Sequence, residues 1–188
     1  MSSKKKNKTE KINEMIALPA GVTASVNHDK INIKGPKGEI TRKLMDPKVT
    51  IEAKEEKITL TSPRSTKRDK RTVGTFTAHI NNMIRGVQKP YVYKLKICSG
   101  HFPITVTLGK GDITIKNFLG EKVPRTAKLR ADASVKLDGD IITVESPNKE
   151  AAGETAARIE LLTSIRNRDL RIFQDGIYII EKDGKAIG

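Results

Sequence analysis

The chain has 188 residues, with 36 Lys and Arg against 22 Asp and Glu, a formal net charge of +14. It holds no apolar run near the roughly 18 to 20 residues a bilayer span needs, and its one cysteine, Cys98, excludes an internally disulfide-stapled scaffold and points to a reducing compartment. A surplus this large favours a polyanionic partner, because Lys and Arg neutralise phosphates and release their counterions. Residues 1–11, MSSKKKNKTEK, are basic and lead into no apolar core, so a solvated tail is expected there rather than a secretory signal.

After the tail the sequence alternates. Val22, Ala24 and Val26, then Ile31 and Ile33, flank a short polar turn at His28, the pattern of a hairpin with one buried face. The same hairpin recurs 82 residues later at Ile104, Val106 and Leu108, then Ile113 and Ile115, with Gly38-Glu39 falling on Gly120-Glu121. A second pair, Thr50–Ala53 and Ile58–Pro63, turns at Lys54-Glu55-Glu56-Lys57. It matches Ser134–Leu137 and Ile142–Pro147, which turn at Asp138-Gly139-Asp140. Both copies then change period. Val73, Phe76, Ile80, Ile84 and Val87 recur at helical spacing in the first, and Ala152, Ala156, Ile159 and Leu162 in the second. The helix offset of 79 implies a longer loop before the first helix.

Each copy therefore predicts strands followed by one covering helix, an α+β arrangement of two tandem duplicated domains, each a small antiparallel sheet packed by a helix. The expected boundaries are 1–11 for the tail, 12–89 for the first domain and 90–188 for the second. The break falls at Gln88-Lys89-Pro90-Tyr91, where Pro90 interrupts the helix and the Tyr93, Leu95, Ile97 alternation begins. Ile177-Tyr178-Ile179-Ile180 predicts a further strand in the second domain.

Catalytic groups are sparse. His28, His79 and His101 lack metal-ligand spacing, and Cys98 continues a strand. Leu108-Gly109-Lys110-Gly111-Asp112 reads as a hairpin turn, not a phosphate-binding loop. Asp138, Asp140 and Glu145 could hold a nuclease metal but read better as turn and exposed strand positions. No catalytic residue, metal or cofactor is expected. Three basic clusters are better candidates. Arg64, Lys67, Arg68, Lys70 and Arg71 enter the first helix. Lys116, Lys122, Arg125, Lys128 and Arg130 lie where the repeat is least regular, suggesting an elaborated loop. Arg166, Arg168 and Arg171 follow the second helix, whose C-terminus favours cations.

Charge is unevenly divided: residues 1–89 carry 20 basic and 9 acidic side chains, or +11, and residues 90–188 carry 16 and 13, or +3. Six of the seven aromatics fall in the second half, and with no Trp the chain is poorly equipped to stack a run of single-stranded bases. Structured RNA read by shape fits better. A basic architectural DNA-binding protein is the competing class, weakened by the lack of helix-turn-helix, basic-zipper or zinc-finger patterns. An RNA-processing enzyme built on Asp138, Asp140 and Glu145 is another.

The stretch Arg168-Asp169-Leu170-Arg171-Ile172-Phe173-Gln174-Asp175-Gly176-Ile177-Tyr178 resembles the C-terminal motif of the large-subunit ribosomal protein L-six family, called L-nine in its cytoplasmic eukaryotic members. Asn117–Lys122 and His101–Ile104 resemble the archaeal and eukaryotic branch, and the duplication is itself a family trait. Leu161 departs from the pattern, which carries Gln there. The resemblance implies a non-catalytic, cytoplasmic constituent of the large ribosomal subunit that supports translation and binds ribosomal RNA mainly through the second domain. It places the protein near the sarcin-ricin and factor-binding region and the stalk base, with ribosomal proteins as neighbours and no membrane or small-molecule substrate. The RNA contacts it implies are His101, Lys116, Asn117, Lys122, Arg125, Lys128, Arg130, Arg166, Arg168 and Arg171. Arg64, Lys67, Arg68, Lys70 and Arg71 form a secondary patch, and Phe173 and Tyr178 are implied packing residues.

Overall fold

The computed structural model describes residues 11–27, 30–54 and 57–187. The expected tail, apart from Lys11, and the turn residues His28, Asp29, Glu55 and Glu56 lie outside them. The chain divides after Gln88 into two compact units.

In the first unit, β1 (Ile12–Ala17), β6 (Lys57–Ser62) and β5 (Thr50–Lys54) form one antiparallel sheet in that order. A second antiparallel sheet runs β2 (Thr23–Asn27), β3 (Lys30–Gly35), β4 (Gly38–Lys43). The period-2 pattern sends Ile31, Ile33, Ile58 and Leu60 inward, where helix α1 (Lys67–Gln88) covers them. Val73, Phe76, Ile80, Met83, Ile84 and Val87 share one face of α1 and are all buried. The helix starts on a reciprocal cap: Asp69 N–H donates to Thr66 Oγ1 at 3.2 Å, and Thr66 Oγ1–H donates to Asp69 Oδ2 at 2.7 Å. That hydroxyl bond holds the Asp69 carboxyl below its ordinary range, against burial. At the other end of α1, Lys37 N–H caps Val87 O at 2.9 Å. Gly35 makes this approach possible, because a Cβ there would lie 2.7 Å from Val87 Cγ2.

The second unit repeats the plan. Strands β8 (Thr105–Leu108), β9 (Asp112–Lys116) and β10 (Arg125–Lys128) form one antiparallel sheet with β9 central. The other sheet runs β11 (Ser134–Asp138), β12 (Ile141–Ser146), β7 (Tyr91–Cys98), β13 (Gly176–Lys182), β14 (Lys185–Ala186). Helix α2 (Lys149–Leu162), capped where Asn148 accepts from Glu150 N–H, packs on Leu95, Ile142, Val144 and Ile177 through Ala152, Ala156 and Ile159. Strand for strand, β7 to β12 repeat β1 to β6. Four residues separate β6 from α1 but only two separate β12 from α2.

The addition is β13, which pairs with β7 along the edge that β1 leaves without a neighbour among the described residues. The first part of its other edge is satisfied by the end of α2 and the residue after it, where Ile177 N–H donates to Thr163 Oγ1 at 2.9 Å and Ile179 N–H to Glu160 Oε1 at 3.1 Å, and the last part pairs with β14.

Alternation missed β1, β4 and β10. In β1 only Ile16 is buried, so no pattern emerges. In β10, Arg-Thr-Ala-Lys, the half-buried positions are Arg125 and Ala127. The stretch read as one elaborated loop is thus a turn over residues 117–124, containing a 3₁₀ turn at Phe118–Gly120, followed by a strand that carries Arg125 and Lys128.

Candidate nucleic-acid interface

The segment between α2 and β13 is held by a buried carboxylate. Asp175, 1% exposed, accepts from Gly100 N–H at 2.5 Å and His101 N–H at 2.9 Å through Oδ1, and from His101 Nδ1–H at 2.6 Å through Oδ2. Burial pushes its carboxyl up, but the His101 backbone and ring bonds and the Gly100 bond outweigh burial and leave it below the ordinary carboxylate range. The His101 ring in turn packs at a tilt against Phe173, with ring centroids 4.8 Å apart, and the Arg168 guanidinium sits 4.8 Å over the same Phe173 ring. Asp175 thus fixes the loop after β7 to the segment that displays Arg166, Arg168 and Arg171, all three exposed. Asp169 shapes that segment, accepting from the N–H groups of Arg171, Ile172 and Phe173.

Asn117, with left-handed φ of 59°, donates from Nδ2 to Pro103 O at 3.0 Å, and the Phe102 ring packs over Gly120. Arg125 then joins this turn to the helix. Its Nε and Nη2 donate to both oxygens of Glu121 at 2.8 and 2.5 Å. Its Nη1 donates to Leu162 O at 2.8 Å and Ser164 O at 3.2 Å, and the guanidinium lies 4.4 Å over the buried Phe118 ring. The fork geometry of Arg serves a carboxylate and the end of a helix at once. The bonds from Arg125 hold the Glu121 carboxyl down against burial, with the charges of Arg125 and Arg168 helping.

A cleft of about 400 Å³ opens here, lined by Glu121, Arg125, Ser164, Arg166 and Arg168, with Leu161, 70% exposed, on its wall. Lys116 ends β9, next to Asn117, and Lys122 lies in the turn; both are exposed and make no salt bridge among the described residues. His101, Lys116, Asn117, Lys122, Arg125, Arg166, Arg168 and Arg171 therefore belong to one set of interlocked loops at one end of the unit.

Lys128 and Arg130 do not join them. Strand β10 carries Lys128 about 10 Å from Arg125, at roughly 3.3 Å per residue, to its pairing with Asp112. There Arg130 donates to Glu154 at 2.8 Å and Asp132 at 3.0 Å. Arg158 donates to Glu154 at 2.6 Å and to Lys128 O at 3.4 Å. Lys128 itself remains exposed and unpaired among the described residues.

In the first unit Arg64, Lys67, Arg68, Lys70 and Arg71 are all exposed at the start of α1. Asp69, the acid among them, is turned inward to the Thr66 cap.

The competing sites fare differently. Asp138 pairs with Ile141 and Glu145 with Ser134, at opposite ends of the β11–β12 ladder, roughly 13 Å apart. No group of three or more His, Cys, Asp and Glu among the described residues is placed to hold a metal ion. His79 accepts from Arg42 Nη2 at 3.3 Å. Leu108–Asp112 closes the β8–β9 hairpin through a Gly109 N–H bond to Asp112 O at 2.8 Å.

Of the two implied packing residues, Tyr178 packs on Gly176 at the surface and does not enter the core. Phe173 is half-buried and does fix the segment, but Tyr178 is 41% exposed, because the alternation of β13 gives the inward positions to Ile177 and Ile179. Residues that charge counting missed are Glu121, Glu154, Asp132 and Asp175, each holding a cation or a loop in place. Glu121 and Asp175 stood inside stretches singled out by their residues, Asn117–Lys122 and Arg168–Tyr178, whereas Asp132 and Glu154 did not.

The ribosomal protein L6 family model matches residues 18–90 and 102–176, one segment in each unit. The chain is 45% identical over 172 residues to the large ribosomal subunit protein uL6 of Methanobrevibacter smithii, covering 92% of this chain and 97% of that one. It is 43% identical over 176 residues to uL6 of Methanococcus vannielii, covering 94% and 97%. To uL6 of Natronomonas pharaonis it is 41% identical over 166 residues, covering 88% and 94%. Two matched segments on a duplicated fold, and similarity that runs nearly end to end, make this chain a member of the ribosomal protein L6 family.

Proposed function

We propose that the chain docks on large-subunit ribosomal RNA through the loop end of its second unit, near the sarcin-ricin and factor-binding region and the stalk base. Family membership carries the coarser statement: the chain is a structural, non-enzymatic constituent of the large ribosomal subunit, an RNA-binding protein of the translation apparatus. The cytoplasm is its compartment on the same ground, with rRNA and neighbouring ribosomal proteins as partners.

The observation that carries the finer reading is the division of labour among the cations. Arg166, Arg168, Arg171, Lys116 and Lys122 project from loops that Asp175, Asn117 and the Glu121–Arg125 pair hold in place. Preset cations lose little conformational freedom on meeting phosphates, and Arg presents a fork suited to phosphate oxygens. In this assignment His101, Asn117, Arg125 and Arg130 position the surface, Lys128 makes an outlying phosphate contact, and the secondary α1 patch of Arg64, Lys67, Arg68, Lys70 and Arg71 supplies diffuse attraction rather than placed contacts. The second domain, residues 90–188, is the main RNA-binding domain even though the first carries more net charge. Co-sedimentation with large ribosomal subunits in high salt tests the reading. The full chain is expected to stay with the particle and the Arg166→Ala, Arg168→Ala, Arg171→Ala variant to be released; retention of that variant would overturn the assignment.

A further inference from the structure

A second cleft, of about 580 Å³, lies where β7 ends and β13 begins, lined by Ser99, His101, Ile172, Gln174, Asp175 and Tyr178 among others. Its volume falls in the range of small-ligand pockets and its walls are mainly apolar. The Tyr178 ring packs against the backbone of Gly176, where a Cβ would lie 3.1 Å from Cζ, and its Oη lies 3.5 Å from Asp175 O. Tyr178 is 41% exposed, and Ile172 on the facing segment is 63% exposed. Opposite Tyr178 on β7 stands Lys96, exposed on the same face of the sheet. Arg171 precedes Ile172 in the chain, and Arg168 packs behind His101 through Phe173.

An aromatic ring at a mainly apolar recess, with Lys96 beside it on the sheet and Arg168 and Arg171 on the segment that supplies Ile172, matches the chemistry of a nucleotide: a flat π surface attached to a phosphate. An acidic partner without a ring would leave the apolar walls unfilled. A purely apolar partner would leave the cations unpaired. Ser99 and Gln174 add donors and acceptors at the rim for the edge of a base.

We propose that this cleft receives one unpaired nucleobase of the bound ribosomal RNA, stacked on Tyr178, with Arg168 and Arg171 on the flanking phosphates. The proposal rests on the reading that this end of the second unit binds rRNA, and it adds a base contact to a surface otherwise made of phosphate contacts. Few aromatics argue against a stacking track along a single strand; one base at one site needs one ring.

The test uses the full chain and deproteinised large-subunit rRNA, with binding measured across a salt series. Tyr178→Phe is expected to bind as the wild type. Tyr178→Leu, which keeps an apolar side chain without the ring, is expected to lose about 5- to 150-fold in affinity, with the salt slope unchanged because no phosphate contact is lost. Thermal melting checks that both variants are folded. If Tyr178→Leu binds as the wild type while the Arg166, Arg168, Arg171 variant is weakened, the base contact is wrong and the rRNA reading stands. A flattened slope in Tyr178→Leu also overturns the proposal, since the ring would then only position a cation. If the wild type does not bind the rRNA, both readings fall.

Discussion

Replacing Arg125 by Ala separates a structural arginine from a phosphate-binding one. The side chain joins Glu121, the carbonyls of Leu162 and Ser164, and the Phe118 ring. The Glu121 pair is partly solvated and contributes about 0.5–1 kcal/mol. The two carbonyl bonds, at a helix end that otherwise exposes unpaired acceptors, add about 1–2 kcal/mol together. The cation over Phe118 adds about 0.5–1 kcal/mol. Alanine should therefore cost the second unit about 2–4 kcal/mol, a fall in melting temperature of about 10–20 °C for a unit near 100 residues. Lysine keeps the charge but not the fork, and should lose at least half as much. Calorimetry on the full chain, with hydrogen exchange to assign the loss to the second unit, reads both. An Arg125→Ala variant that melts like the wild type but binds rRNA with a salt slope flattened by one contact would refute this reasoning and make Arg125 a phosphate ligand.

Two further outcomes follow from named contacts. The folded carboxyl of Asp175 lies below its unfolded value near about 3.9, so its contribution is complete above that value and is lost as pH falls through the folded one. Asp175→Asn should cost about 1–3 kcal/mol at neutral pH. It should also soften the acid-induced fall in melting temperature below pH about 4; an undiminished acid response in that variant would count against the carboxylate as the acid-sensitive latch. Gly35→Ala forces a methyl into Val87 and should cost the first unit about 1–3 kcal/mol with the second unit unaffected, read by hydrogen exchange. Unchanged protection across β3, β4 and α1 would show that the turn yields.

Most of the fold was legible because both copies bury one face of each strand. Ile31, Ile33, Ile58 and Leu60 announce themselves at period 2, and Val73 to Val87 at helical spacing. Strands β1 and β10 were not legible, because β1 buries only Ile16 and β10 only half-buries Arg125 and Ala127, so neither edge strand carries an apolar alternation. The basic side chains of the candidate site were visible as a composition, but their roles were not. Arg125 and Arg166 look alike in sequence, and only the fold brings Glu121 and the end of α2 to one of them. Asp175 likewise stands in the sequence only as one residue of the C-terminal motif until β13 lies beside β7 and brings it to Gly100 and His101. Four of the 13 acids that bring the second half to a net charge of only +3, Glu121, Glu154, Asp132 and Asp175, hold its side chains and loops in place. Diffuse charge on the first unit is suited to attraction, and arranged charge on the second to docking.

The most direct measurement of that distinction is the salt dependence of rRNA affinity for two full-length triple variants. Replacing Arg166, Arg168 and Arg171 by Ala should flatten the slope of log K against log salt by about 2–3 units, at roughly 0.7–0.9 per lost phosphate contact, and replacing Lys67, Arg68 and Lys70 by Ala should flatten it by less than one. Equal flattening in the two variants would contradict the account and make net charge, rather than the arranged loops of the second unit, the determinant of binding.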